Sequence, residues 1–128
     1  MSYQKKGPLP GLTIIEFKSF THDADKLFSS QEIDDLRVEL ALDPEKGDKI
    51  PGTGGIRKLR VGIEAKGKGK RGGARVIYYY HSDDLPLALL AVYAKGEKID
   101  LTADDKKELR QLVKDYVAEH RKKSRKVH

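Results

Sequence analysis

The chain has 128 residues, with 26 Lys or Arg against 20 Asp or Glu, and a formal net charge of +6. It holds no cysteine, which excludes a disulfide framework, a thiol nucleophile and a thiolate metal site. No window approaches the roughly 18 consecutive apolar residues of a membrane span, and residues 1–11 lack the apolar run of a secretory signal. One soluble, cytoplasmic domain with an acidic partner is the expectation.

In chain order, residues 1–11 carry Gly7, Pro8, Pro10 and Gly11 and read as a loose lead-in. Leu12 to Phe17 is β-branched and apolar, a first strand. Thr21 to Phe28 reads as a short helix docked by Leu27 and Phe28. Ser29 and Glu32 have the spacing of a capping box, which predicts a helix with Ile33, Leu36 and Leu40 on one face and a stop at Pro44. Gly47 to Gly55 is a Gly/Pro loop. A second strand follows, in which Leu59, Val61 and Ile63 alternate with Lys58 and Arg60; period two turns the two cations away from the core. Ala74 to His81 is a third strand, and Leu87 to Ala94 is apolar enough for a central strand covered on both faces. Thr102, with Asp105 three residues on, caps a last helix whose Leu109, Leu112, Val113, Tyr116 and Val117 form one stripe. The basic run 121–128 is expected to fray. The order β-α(α)-β-β-β-α, with short links between the last three strands, predicts an α+β fold: a small antiparallel meander with helices packed on one face, spanning residues 12–120.

The positive charge is concentrated. Arg57 to Arg75 carries eight basic side chains and a single acid, Glu64; the run from Arg121 adds five cations and no acid. The remainder of the chain is net acidic, so the cations are placed as a polyanion footprint requires. One candidate for this stretch is a phosphate loop, since Gly62 to Lys68 has the G-x-x-x-x-G-K spacing. Gly69 stands where the magnesium-binding Ser or Thr belongs, and the segment lies between two strands, which speaks against it. The other candidate is a face that binds RNA and cuts it. Lys66, Lys68 and Lys70 alternate with glycine, so backbone approaches phosphates closely while ammonium groups neutralise them. Arg60, Arg71 and Arg75 offer planar forks for phosphate oxygens. RNA is cut without a metal or other cofactor when the 2′-hydroxyl attacks its own phosphate. That needs a base, an acid, and charge on the phosphorane; arginine, always protonated, supplies only the last. A lysine crowded by like charges serves as base when its proton is loosened, and Lys58 is the candidate. Passive nucleic-acid binding and a protein-binding surface stay open on composition alone. His22, His81, His120 and His128 have no metal-ligand spacing. Tyr78 to Tyr80 read as sheet or core residues, whereas Tyr93 and Lys95, at the end of the fourth strand, are further site candidates.

The run from Gly52 through Arg60, the segment Lys66 to Tyr79, and Leu89 to Lys95 with Glu97, Asp100, Leu101 and Thr102 resemble the HigB branch of the RelE/ParE toxin superfamily. The resemblance implies a RelE-like fold, a bacterial type II toxin, and cleavage of translated mRNA in the ribosomal A site without a metal. It also implies neutralisation by a cognate antitoxin, a HigA-like helix-turn-helix protein. By position it makes Lys58, Arg60, Arg75 and Lys95 the catalytic candidates. The residues themselves add Arg57, Lys66, Lys68, Lys70, Arg71 and Tyr93 as expected RNA or ribosome contacts, and the toxin alone is expected to be monomeric. Relatives of the ParE kind share the fold and act on gyrase. The region past the fourth strand reads Ile99-Asp100-Leu101-Thr102, without the tyrosine that some relatives place there.

Overall fold

The structure, a computed structural model, describes residues 12–64, 67, 69, 73–97 and 100–126. In chain order the elements are β1 (Ile14–Glu16), α1 (Lys18–Leu27), α2 (Ser30–Leu42), β2 (Asp48–Lys49), β3 (Ile56–Val61), β4 (Ala74–Tyr79), β5 (Leu87–Ala94) and α3 (Ala103–Lys126). They form one five-stranded sheet in the order β1-β5-β4-β3-β2. The meander β3-β4-β5 is antiparallel throughout, and β2 continues it antiparallel to β3. Only β1 runs parallel to its neighbour, pairing Ile14 with Leu87 through Glu16 with Leu89. The class is α+β.

Helix starts follow the side chains that cap them. Ser29 Oγ accepts from the Glu32 N–H at 3.2 Å, and Glu32 Oε1 accepts from the Ser29 N–H at 2.9 Å, closing the capping box of α2. Thr102 and Asp105 do the same for α3, at 3.1 and 2.9 Å. α2 ends at Leu42, two residues before Pro44, as the pre-proline restriction dictates.

The helices do not share one face of the sheet, which corrects the one-sided packing expected from the sequence. Phe20 and Ala24 of α1 with Leu36 and Leu40 of α2 cover Leu59, Val76, Tyr78, Leu87 and Leu89. On the other side Leu109, Leu112, Val113 and Tyr116 of α3 cover Ile56, Ile77, Tyr79, Ala88 and Leu90. The physical reason lies in β4 and β5. All six residues of β4 are buried, and a strand apolar at both parities must be covered from both sides. Tyr116 fixes α3 to the β4–β5 connection, its hydroxyl donating to the Pro86 carbonyl at 2.8 Å, and burial pushes that hydroxyl's pKa up to about 12. The basic run expected to fray from Arg121 continues α3 as far as Lys126.

Two glycines mark where backbones meet too closely for a side chain. A Cβ at Gly73, at the base of the β3–β4 hairpin, would lie 2.1 Å from the Val61 carbonyl oxygen. A Cβ at Gly47 would lie 2.8 Å from Tyr78 Cε1 and 3.0 Å from the Lys58 carbonyl oxygen. The Gly47 N–H instead donates to Tyr78 Oη at 2.8 Å, and that hydroxyl donates to the Pro44 carbonyl at 2.9 Å. The segment leading into β2 is thereby pinned to the middle of the sheet. Among the described residues no helix is long and apolar enough to cross a membrane.

Candidate functional site

The pleat decides which cations meet. In β3, Ile56 belongs to the core beneath α3, so Lys58 and Arg60 share its face while Arg57 and Leu59 take the other. Arg60 is the direct cross-strand partner of Arg75, and Arg75 that of Tyr93. A row Arg60–Arg75–Tyr93 therefore crosses three strands, with Lys58 two residues along β3. The row lies at the ends of β3 and β5 that meet the start of β4, beyond the apolar residues that α3 covers.

The members differ in exposure. Arg60 is exposed, Lys58 is partly covered, and Arg75 is 8% exposed with Nη1 donating to the Ala74 carbonyl at 3.2 Å. The Tyr93 hydroxyl is buried and has no hydrogen-bond partner among the described residues. Burial pushes its pKa up, Asp100 adds to that, and Arg75 opposes it.

Asp100 is the site residue that sequence reasoning missed. Its carboxylate stands 3.4 Å from the Lys58 ammonium, across 42 positions of sequence. The Leu101 N–H donates to it at 2.8 Å, and that bond first, then Lys58, holds its carboxyl below the usual carboxylate range. β2 brings a second carboxylate to this side, because Asp48 is the cross-strand partner of Lys58. Nothing in the Gly/Pro composition of 47–55 marks β2, which is two residues long. Together Lys46, Lys49, Lys58, Arg60 and Lys106, with Asp48 and Asp100, line a groove of ≈ 430 Å³. Arg75 does not line it and lies behind Arg60 in the row.

Arg57 is not part of this face. It points to the α1–α2 side, 8% exposed, and its Nη1 donates to the Glu45 and Gly47 carbonyls at 2.9 and 2.7 Å. Its guanidinium braces the segment that Tyr78 pins, and the structure gives it no phosphate-facing group. Lys95 is exposed just past the end of β5, where its N–H donates to the Gly73 carbonyl at 3.0 Å. Lys66, Lys68, Lys70 and Arg71 lie outside the described residues. Among the described residues, no three His, Cys, Asp or Glu side chains stand close enough to hold a metal ion.

This arrangement can do three things chemically. It can hold an anion against a fork of two guanidiniums and an ammonium. It can place carboxylates beside that anion, and it can offer a buried, unpartnered hydroxyl at the row's end. Comparison with protein-family models matches residues 17–127 to the RelE toxin of the RelE/RelB toxin–antitoxin system. That match spans most of the chain, so this chain belongs to the RelE toxin family.

Proposed function

We propose that the chain is a ribosome-dependent mRNA endonuclease of the HigB kind, cutting translated mRNA in the A site by 2′-hydroxyl attack. The observation that carries this reading is the cross-strand contact of Arg60 with Arg75, with Lys58 on the same face. Two guanidinium-bearing residues at one rung are placed to grip two oxygens of one phosphate. Toxins of this family are in general mRNA-cleaving endoribonucleases, and the family implies an antitoxin partner.

In this reading Arg60 and Arg75 hold the scissile phosphate and take up the charge that develops on the phosphorane. Lys58 adds a third positive charge. Asp100, ionised and 3.4 Å from Lys58, keeps the ammonium in place until RNA arrives, and its carboxylate then serves as base toward the 2′-hydroxyl while Lys58 stays charged. Lys95, exposed just past β5, gives a proton to the leaving 5′-oxygen in this reading, with the Tyr93 hydroxyl on the same strand end. The segment 66–71 contributes ribosomal RNA contacts. The antitoxin is a HigA-like helix-turn-helix protein, and the free toxin is a cytoplasmic monomer.

The second reading is a non-catalytic module on the same fold, binding nucleic acid or a protein such as gyrase. The ion pair of Lys58 with Asp100 favours it, because a paired ammonium binds an anion without abstracting a proton. Expression of wild type against Arg75→Ala, followed by primer extension on cellular mRNA, separates the two. Codon-phased cuts that vanish in the variant establish the endonuclease. Growth arrest with stalled replication and intact mRNA establishes the gyrase-type module.

A further inference from the structure

A second groove lies on the far side of the Pro51–Gly54 loop, shares no lining residue with the first, and has a different character. It measures ≈ 580 Å³ and runs between this loop and α3. Its floor is Tyr79, Val113, Val117 and Ala118; its rim is Lys107, Arg110, Lys114 and Arg121, and no lining residue is acidic. The cations recur at helical spacing along one ridge of α3, while Asp104, Glu108, Asp115 and Glu119 fall on the neighbouring stripe. The wall is built in advance: Arg110 Nη1 donates to the Gly52 carbonyl at 2.8 Å and ties the loop to the helix.

We infer that this groove docks an acidic, amphipathic segment of a partner protein, seating apolar side chains on Val113, Val117 and Ala118 while its carboxylates meet Lys107, Lys114 and Arg121. The charge sorting identifies the occupant. An RNA strand would satisfy the rim, but its bases stack on exposed aromatic planes, and the one ring of this floor, Tyr79, is 7% exposed; an acidic helix lays aliphatic side chains on the aliphatic floor and carboxylates on the rim. The chain's own lead-in cannot serve, since residues 1–11 carry Lys5 and Lys6 and no acid. The inference rests on this groove alone and stands or falls apart from the reading of the Arg60–Arg75 row.

The probe is a fluorescein-labelled synthetic helix with glutamates on one face and leucines on the other, titrated with the full chain. Fluorescence anisotropy should show saturable binding, with the amides of Val113, Val117 and Ala118 shifting in NMR spectra. The double variant Lys114→Glu/Arg121→Glu should weaken binding by about tenfold or more, as like charges come face to face. Lys107→Glu provides an independent reversal if the double variant loses its circular dichroism. The same helix with glutamines in place of glutamates should bind far more weakly. Equal binding by wild type and both reversals, or by the glutamine helix, overturns the inference. So does competition by an oligouridylate at these amides, which makes the groove an RNA surface. Concentration-dependent self-association that the reversals abolish also overturns it, by making a second copy the occupant.

Discussion

Arg60 and Arg75 face each other directly across β3 and β4, two guanidinium-bearing residues at one rung of the sheet. Cross-strand pairs contribute roughly 0.2–1 kcal/mol, and like charges reverse the sign. Arg60→Gln, at an exposed position, should therefore leave stability to urea unchanged or raise it by up to about 1 kcal/mol. RNA affinity should fall, and the slope of log affinity against log salt should flatten by about 0.7, the share of one phosphate contact on a single strand. An unchanged slope would mean that Arg60 touches no phosphate.

Lys58 and Asp100 supply a dependence on pH. A carboxyl whose pKa falls on folding adds stability that is fully present above the unfolded value and is lost as pH drops through the folded value. Asp100 is such a group, held down first by the Leu101 N–H and then by Lys58. Its carboxyl carbon, followed by NMR, should titrate with a midpoint below 3.8. Lys58→Ala should move the midpoint upward only part of the way, because the Leu101 N–H stays. A midpoint at or above 3.8 in the wild type would contradict the pairing.

Tyr78 holds the groove's outer wall at a distance. Its hydroxyl accepts from the Gly47 N–H and donates to the Pro44 carbonyl, and the next residue, Asp48, pairs with Lys58 across the sheet. Tyr78→Phe leaves both backbone groups without that partner and should cost about 1–3 kcal/mol in urea denaturation. Gly47→Ala should destabilise as well, since its Cβ has no room. Arg57, bonded to the same segment, should behave like Tyr78: Arg57→Ala should lower stability first, and RNA affinity only through the displaced wall.

Tyr93 should respond in the opposite sense. Its buried hydroxyl has no partner among the described residues, a state that costs roughly 1–3 kcal/mol. Tyr93→Phe should leave the melting temperature unchanged or raise it. If the hydroxyl serves bound RNA beside Arg75, the same variant should lose cleavage. A variant that is both destabilised and fully active would show that the hydroxyl bonds within the free protein.

Much of the fold was legible because local signals agreed with the tertiary outcome. Ser29/Glu32 and Thr102/Asp105 cap as their spacing demands, and the strand Leu87–Ala94 is buried at both parities over Leu87 to Leu90. The face shared by Lys58 and Arg60 followed from period two, whereas the rung joining Arg60 to Arg75 is seen only in the strand register. What escaped was long-range. The side on which α3 lands depends on β4 being apolar at both parities, a sign that Tyr78 and Tyr79 carry on opposite faces. Arg57 looked like one cation of a basic run, yet its parity sends it to the Glu45–Gly47 segment. Asp100 entered only through the resemblance and without a role, because no local pattern announces an ion pair across 42 positions.

The most direct test uses purified ribosomes programmed with a 5′-labelled mRNA, once all-ribo and once with a single 2′-deoxy nucleotide at the cut position. Wild type should cut the ribo message and leave a 2′,3′-cyclic phosphate end, the deoxy message should survive, and Arg75→Ala should cut neither at a comparable rate. Equal cutting of both messages, or an Arg75→Ala protein as active as wild type, would contradict 2′-hydroxyl attack on a phosphate held by the Arg60–Arg75 rung.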